Sequence, residues 1–126
     1  MRLSFEHLDA GGWNRFLRFF AERLRPDGIA LFTTHGRCIE RWLRSGKTTL
    51  GLNPDTVDLV LADDERFGFG YGDYPGQDGY GISLSSPDWV GDRIAEDPKL
   101  QAIKFIECGW GSRSWHHNTF ACVLAD

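Results

Sequence analysis

Four histidines stand in this 126-residue chain, at positions 7, 35, 116 and 117. Imidazole is the side chain whose ordinary titration range lies near neutrality, so each can act as base, hydrogen-bond donor or lone-pair ligand. His35 ends the stretch RPDGIALFTTHGR, residues 25–37, in which an apolar run breaks into Thr33, Thr34, His35 and Gly36. Ligands of open α/β sheets bind at strand ends of this kind. The pattern makes His35 a candidate catalytic base and Thr34 a substrate contact, with Gly36 allowing a turn or a close approach. A structural role for His35 is the competing reading. His116 and His117 close a second group, GWGSRSWHH (109–117), where Trp110 joins them as a substrate-binding candidate. Tyr71, Tyr74 and Tyr80 lie in RFGFGYGDYPGQDGYGIS (66–83). Glycine and aromatics interleave there without a helical or long alternating period, which predicts a long binding loop or lid with a short extended piece around 81–84.

A metal site can be assembled on paper from Cys108, His116 and His117 with His35 or Cys38. Adjacent histidines on a strand point to opposite faces, and the spacing matches no zinc knuckle. The expectation is therefore no metal. The glycines at 68, 70 and 72 neither follow a strand nor open a helix, so they are no dinucleotide fingerprint.

The elements that must hold these residues are legible in part. Trp13, Phe16, Leu17, Phe20 and Leu24 recur at helical spacing behind Asp9, a capping residue, and Pro26-Asp27-Gly28 turns the chain. Ile29-Ala30-Leu31-Phe32 is continuous rather than alternating, as in a strand covered on both faces. Short helices are expected over about 37–44, with Ile39, Trp42 and Leu43 inward and Gly46 as its stop, and from Asn53-Pro54, and another after the Ser86-Pro87-Asp88 cap. Two apolar strands, 101–108 and 118–125, close the chain.

Fourteen basic and 18 acidic groups give a net charge of −4, which argues against non-specific nucleic-acid binding. Arg15, Arg18, Arg23 and Arg25 read as a solvated helix face. Cys38, Cys108 and Cys122 show no CxxC spacing and read as small buried residues of a reducing compartment. With no membrane-length apolar run and no signal-peptide pattern, the chain is expected to be cytoplasmic, without membrane or nucleic-acid partners.

SFEHLDAGGWNRFLRFFAERLRPDGIALFTTHGR (4–37) resembles the middle of class I S-adenosylmethionine-dependent methyltransferases. Phe5, His7 and Leu8 match a Phe-x-His-Leu-like segment, Leu24 to Gly28 match a Leu-Arg-Pro-Gly-Gly-like turn with Asp27 in a glycine position, and 29–34 match the fifth strand. FGYGDYPGQDGYGISLSSPDWV (69–90) and ECGWGSRSWHHNTFACVLAD (107–126) are similar to the substrate-side loop and final hairpin of a subgroup. The family often has Gln-Asp where His117-Asn118 stand. The resemblance covers the second half of a family domain; its glycine-rich cofactor turn has no counterpart here.

What the resemblance implies is a single partial Rossmann-like methyltransferase domain over 1–126. It would have about three main strands, one parallel-type and two in a C-terminal antiparallel pair. Phe5, Glu6, His7 and Leu8 would border S-adenosylmethionine, and methyl transfer would go to an unidentified, small-molecule acceptor. The alternative is an inactive truncated homologue acting as an interaction or scaffold protein. A homo-oligomer or a partner chain would then complete the fold, because an unfinished sheet leaves an edge and apolar surface.

Overall fold

The computed structural model describes residues 2–110 and 116–125, with the side chains of 2–4 excepted. The remainder of the connection between the last two strands, residues 111–115, lies outside the described residues. In chain order the elements are β1 (Arg2–Ser4), α1 (Ala10–Arg23), β2 (Ala30–His35), α2 (Arg37–Ser45) and α3 (Pro54–Phe67). They continue with β3 (Phe69–Asp73), β4 (Gly81–Ser85), α4 (Pro87–Glu96), β5 (Leu100–Trp110) and β6 (His117–Leu124).

Local chemistry sets the helix boundaries. The Asp9 carboxylate accepts the Gly12 N–H at 2.7 Å and starts α1, and the Ser86 hydroxyl accepts the Trp89 N–H at 3.1 Å to start α4. Both satisfy amide groups that the first helical turn leaves without partners. Pro54 opens α3, where its missing N–H costs nothing. Gly46 and Gly68 end α2 and α3 in the left-handed conformation.

Four strands form one sheet in the order β1-β2-β6-β5, and β3-β4 form a separate antiparallel pair. β1 lies parallel to β2 over three residues; β2–β6 and β6–β5 are antiparallel. One face of the sheet packs Phe32, Ala30, Phe120 and Cys122 against Trp13, Leu17 and Phe20 of α1 and Val90 and Ile94 of α4. A second apolar cluster joins Ile39 and Leu43 of α2, Val57, Val60 and Leu61 of α3, and Ile82 and Leu84 of β4.

This architecture corrects the expected partial Rossmann-like methyltransferase fold. A Rossmann sheet is built from successive parallel strands with helical crossovers. Here the longest pairings are antiparallel, and six strands are present among the described residues instead of about three. The continuous apolar run did mark a strand covered on both faces, but antiparallel β6, not a parallel neighbour, is its long partner. The C-terminal antiparallel pair is present as β5–β6. The long loop expected over 66–83 is also corrected: most of it is the β3–β4 hairpin, although the extended piece expected around 81–84 is present as β4.

The reason lies in the alternation of Gly70 and Gly72 with Phe69, Tyr71 and Asp73. The glycine side of β3 lies flat on α3, where a Cβ at Gly70 would overlap the Val60 carbonyl oxygen and one at Gly72 would press on Thr56. Period two is present, but glycine stands where an apolar side chain would ordinarily signal burial. Gly70→Ala should therefore lower stability by about 2–3 kcal/mol in urea denaturation. Gly91→Ala, in α4 with open space at its Cβ, should be neutral or gain up to about 1 kcal/mol.

Candidate functional site

Side chains alternate across a strand, so packing Phe32 toward α1 and α4 sends Thr33 and His35 to the opposite face. In the antiparallel register His35 stands directly across from His117, and Thr33 from Thr119. The His35 and His117 rings lie 5.1 Å apart. His116 precedes β6 rather than belonging to it, so the alternation rule does not separate the two neighbours. Their ring centroids are 4.2 Å apart, and His116 lies 6.4 Å from His35 and 5.2 Å from Trp42 of α2. One ligand atom from each of His35, His116 and His117 falls within 4.8 Å of the others. The two adjacent histidines therefore converge on one face instead of diverging, because only His117 belongs to the strand.

Glu6 leaves β1 beneath this group. Its carboxylate accepts the Thr33 hydroxyl at 3.0 Å, and its other oxygen lies 3.7 Å from His117 Nε2. The Glu6 carbonyl accepts the Ser83 N–H at 2.7 Å, and the Ser83 hydroxyl donates to the Phe5 carbonyl at 3.0 Å. These bonds strap β4 across the exit of β1. His7 follows, its Nδ1 donating to the Gly81 carbonyl at 3.0 Å.

His35 is only 3% exposed. Burial pushes its pKa down to about 3, and the neighbouring His117, His116 and His7 add to the shift. A hydrogen bond with the Ser83 backbone pulls weakly the other way. Nδ1 of His35 is buried and has no hydrogen-bond partner. At neutral pH this ring is a neutral lone-pair donor, and a poor match to the general-base role its strand-end position suggested.

The other expected site residues divide clearly. Phe5 is core, stacked on Phe32 at 4.5 Å and edge-on to Trp13 at 4.7 Å, and Leu8 packs against the same cluster. Thr34 is buried on the sheet face opposite His35, paired with Asn118. Tyr71 bonds the Asp73 carboxylate at 2.8 Å; burial and that bond push its phenol well above the ordinary range. Tyr74 and Tyr80 instead meet His7, with Tyr80 at 5.4 Å from its ring and 5.0 Å from Tyr74. Trp110 lies opposite His117 in the β5–β6 register, 41% exposed. Sequence reasoning missed Thr33, Ser83 and Trp42. Only the helical period of Trp42 carried any signal, and that signal reads as packing.

The His35 shift has a definite sign. Between the ordinary value of 6.5 and about 3 the unfolded chain binds a proton that the folded state refuses. Stability must fall as pH drops through that window, by up to ~1.4 kcal/mol per pH unit. Asp64, raised to about 6 chiefly by burial, works in the opposite sense below pH 6. Chemical denaturation at a series of pH values should show a steeper acid loss for the wild type than for His35→Asn. No family model and no curated protein matches the chain, so its functional reading rests on this geometry.

Proposed function

We propose that this domain binds a divalent transition-metal ion through His35, His116 and His117, with Glu6 positioning His117. The observation that carries the reading is the convergence of three imidazoles from β2, β6 and the segment before β6, with ligand atoms within 4.8 Å of one another. Imidazole donors suit zinc, nickel, cobalt and copper. Metal-bound histidines characteristically engage their second ring nitrogen with a carboxylate or a backbone carbonyl. His117 has the Glu6 carboxylate beside Nε2, and His35 has the Ser83 backbone. The depressed His35 pKa favours the same state, since a ligand must be neutral to donate its lone pair. Three protein ligands leave a fourth position for water or a substrate oxygen.

Calorimetry with zinc chloride and visible spectroscopy with cobalt(II) test this directly. The wild type should take one ion per chain, and the cobalt form should show tetrahedral absorption. His116→Ala and His35→Ala should each weaken binding by about 100-fold or more, and Glu6→Gln by roughly 10-fold. Unchanged affinity in His116→Ala, with native circular dichroism, would defeat the proposal.

One observation favours a second reading, methyl transfer from S-adenosylmethionine as the sequence resemblance implies. His7, assigned to the cofactor side, meets Tyr74 and Tyr80, assigned to the substrate side, at one rim. Calorimetry with S-adenosylmethionine should then give saturable heat that Tyr80→Ala reduces. Folded protein showing none at millimolar ligand would remove this reading.

A further inference from the structure

We propose that two copies of this chain pair through β5, edge to edge and antiparallel, about a two-fold axis at Phe105. This inference is independent of the metal reading. β5 ends the four-stranded sheet and, among the described residues, pairs with β6 alone. Its other edge presents a row of backbone N–H and C=O groups, the template on which a further strand adds. Large apolar side chains are exposed on the same strand. Ile103 is 49% exposed, Phe105 40% and Ile106 44%, and every residue from 101 to 106 is exposed.

The exposure is on both faces. Phe105 stands opposite Phe120, with 4.8 Å between ring centroids, so it lies on the side of the sheet that meets α1 and α4. Lys104 pairs with Ala121 and Ile106 with Thr119, which places both on the His35 side. A helix or a small molecule lying on one face would leave the other apolar face wet. A strand added in the plane of the sheet borders both.

The sequence of β5 fits its own copy. A two-fold axis normal to a sheet keeps each face on its own side, so the axis must pass through a residue paired with itself. Phe105 is the midpoint of Leu100–Trp110. An axis there sets the two Phe105 rings side by side and puts Lys104 opposite the second copy's Ile106. Charge agrees with that choice. Glu107 pairs with Arg37 of α2, and α2 lies on the His35 side, where Trp42 meets His116 at 5.2 Å. The bulge between Ile106 and Trp110 releases Glu107 from strict alternation. Glu107 and Lys104 therefore share a face, and the axis brings Lys104 of each copy beside Glu107 of the other. An axis moved to Lys104 would set lysine against lysine. The edge is about 37 Å long and about 10 Å thick, so ~400 Å² is covered on each copy. That is about half of one side of a standard interface, which makes the expected dimer a micromolar, concentration-dependent one.

Sedimentation velocity of the intact chain, from micromolar to near-millimolar concentration, tests this. The expected result is a monomer–dimer equilibrium in which β5 amides gain hydrogen-exchange protection as the dimer fills. Phe105→Glu should leave only monomer. Lys104→Glu, a fully surface change that cannot unfold the core, should weaken the dimer by about 10-fold or more, because two like-charge contacts replace two opposite ones. Leu59→Glu, on the exposed side of α3, should leave the dimer at wild-type strength. The proposal is overturned if the wild type stays monomeric at the highest concentration. It is also overturned if Lys104→Glu dimerises as tightly as the wild type, or if Leu59→Glu is the change that abolishes the dimer.

Discussion

Phe32 lies between two other rings, Phe5 at 4.5 Å and Phe120 at 5.5 Å, with the latter nearly parallel. This stack spans the exit of β1, the middle of β2 and the middle of β6. Trp13 closes its edge from α1 at 5.7 Å. Each aromatic contact is worth about 0.5–1.5 kcal/mol beyond area burial, but its larger effect is on register. With Phe32 facing α1, Thr33 and His35 must face β4. A slip of one residue would bring His35 under α1 and put Phe32 beside Glu6. The apolar stack and the histidine cluster are therefore one structural choice seen from two sides of the sheet.

That choice creates an electrostatic constraint. His35 is enclosed, and His117, His116 and His7 each oppose a positive charge on it. Protonating several rings together would place like charges within a few ångströms, where reduced screening makes repulsion costly. A single divalent ion meets the same lone pairs with one shared centre of charge. The buried Glu6 carboxylate offsets part of that charge while the Thr33 hydroxyl holds it. The arrangement thus disfavours protons on His35, and under the proposed metal reading a divalent ion would meet the same lone pairs without that repulsion.

Local features of the fold were legible in the sequence because their causes are local. Asp9, Ser86 and Pro54 mark helix starts through groups that act within one turn. Gly46 marks a stop because the left-handed position it occupies suits a residue without Cβ. The β3–β4 hairpin was hidden because glycine lines its packed side, so close approach to α3 replaces the hydrophobic signal. The histidine cluster was hidden for another reason. His116 and His117 are adjacent in sequence, and the boundary of β6 between them decides whether they diverge or converge. That boundary depends on pairing with His35, 82 positions earlier in the chain. Phe5 and Leu8 show the reverse case: family-like motif positions that the stack absorbs into the core.

Asn118 connects the strand end that carries His35 to the start of α2. It is fully buried, faces Thr34 across the β2–β6 pair and reaches both the Cys108 amide and the space beside Gly36. Gly36 is required there because any side chain would displace the Asn118 amide. It is also the residue between His35, at the end of β2, and the first turn of α2 carrying Cys38. A metal at His35 would hold the strand end next to that turn, on a segment too short to move one end freely without the other. Its effect on α2 would then need no long pathway through the core; it would follow from the packing of one buried amide against one glycine.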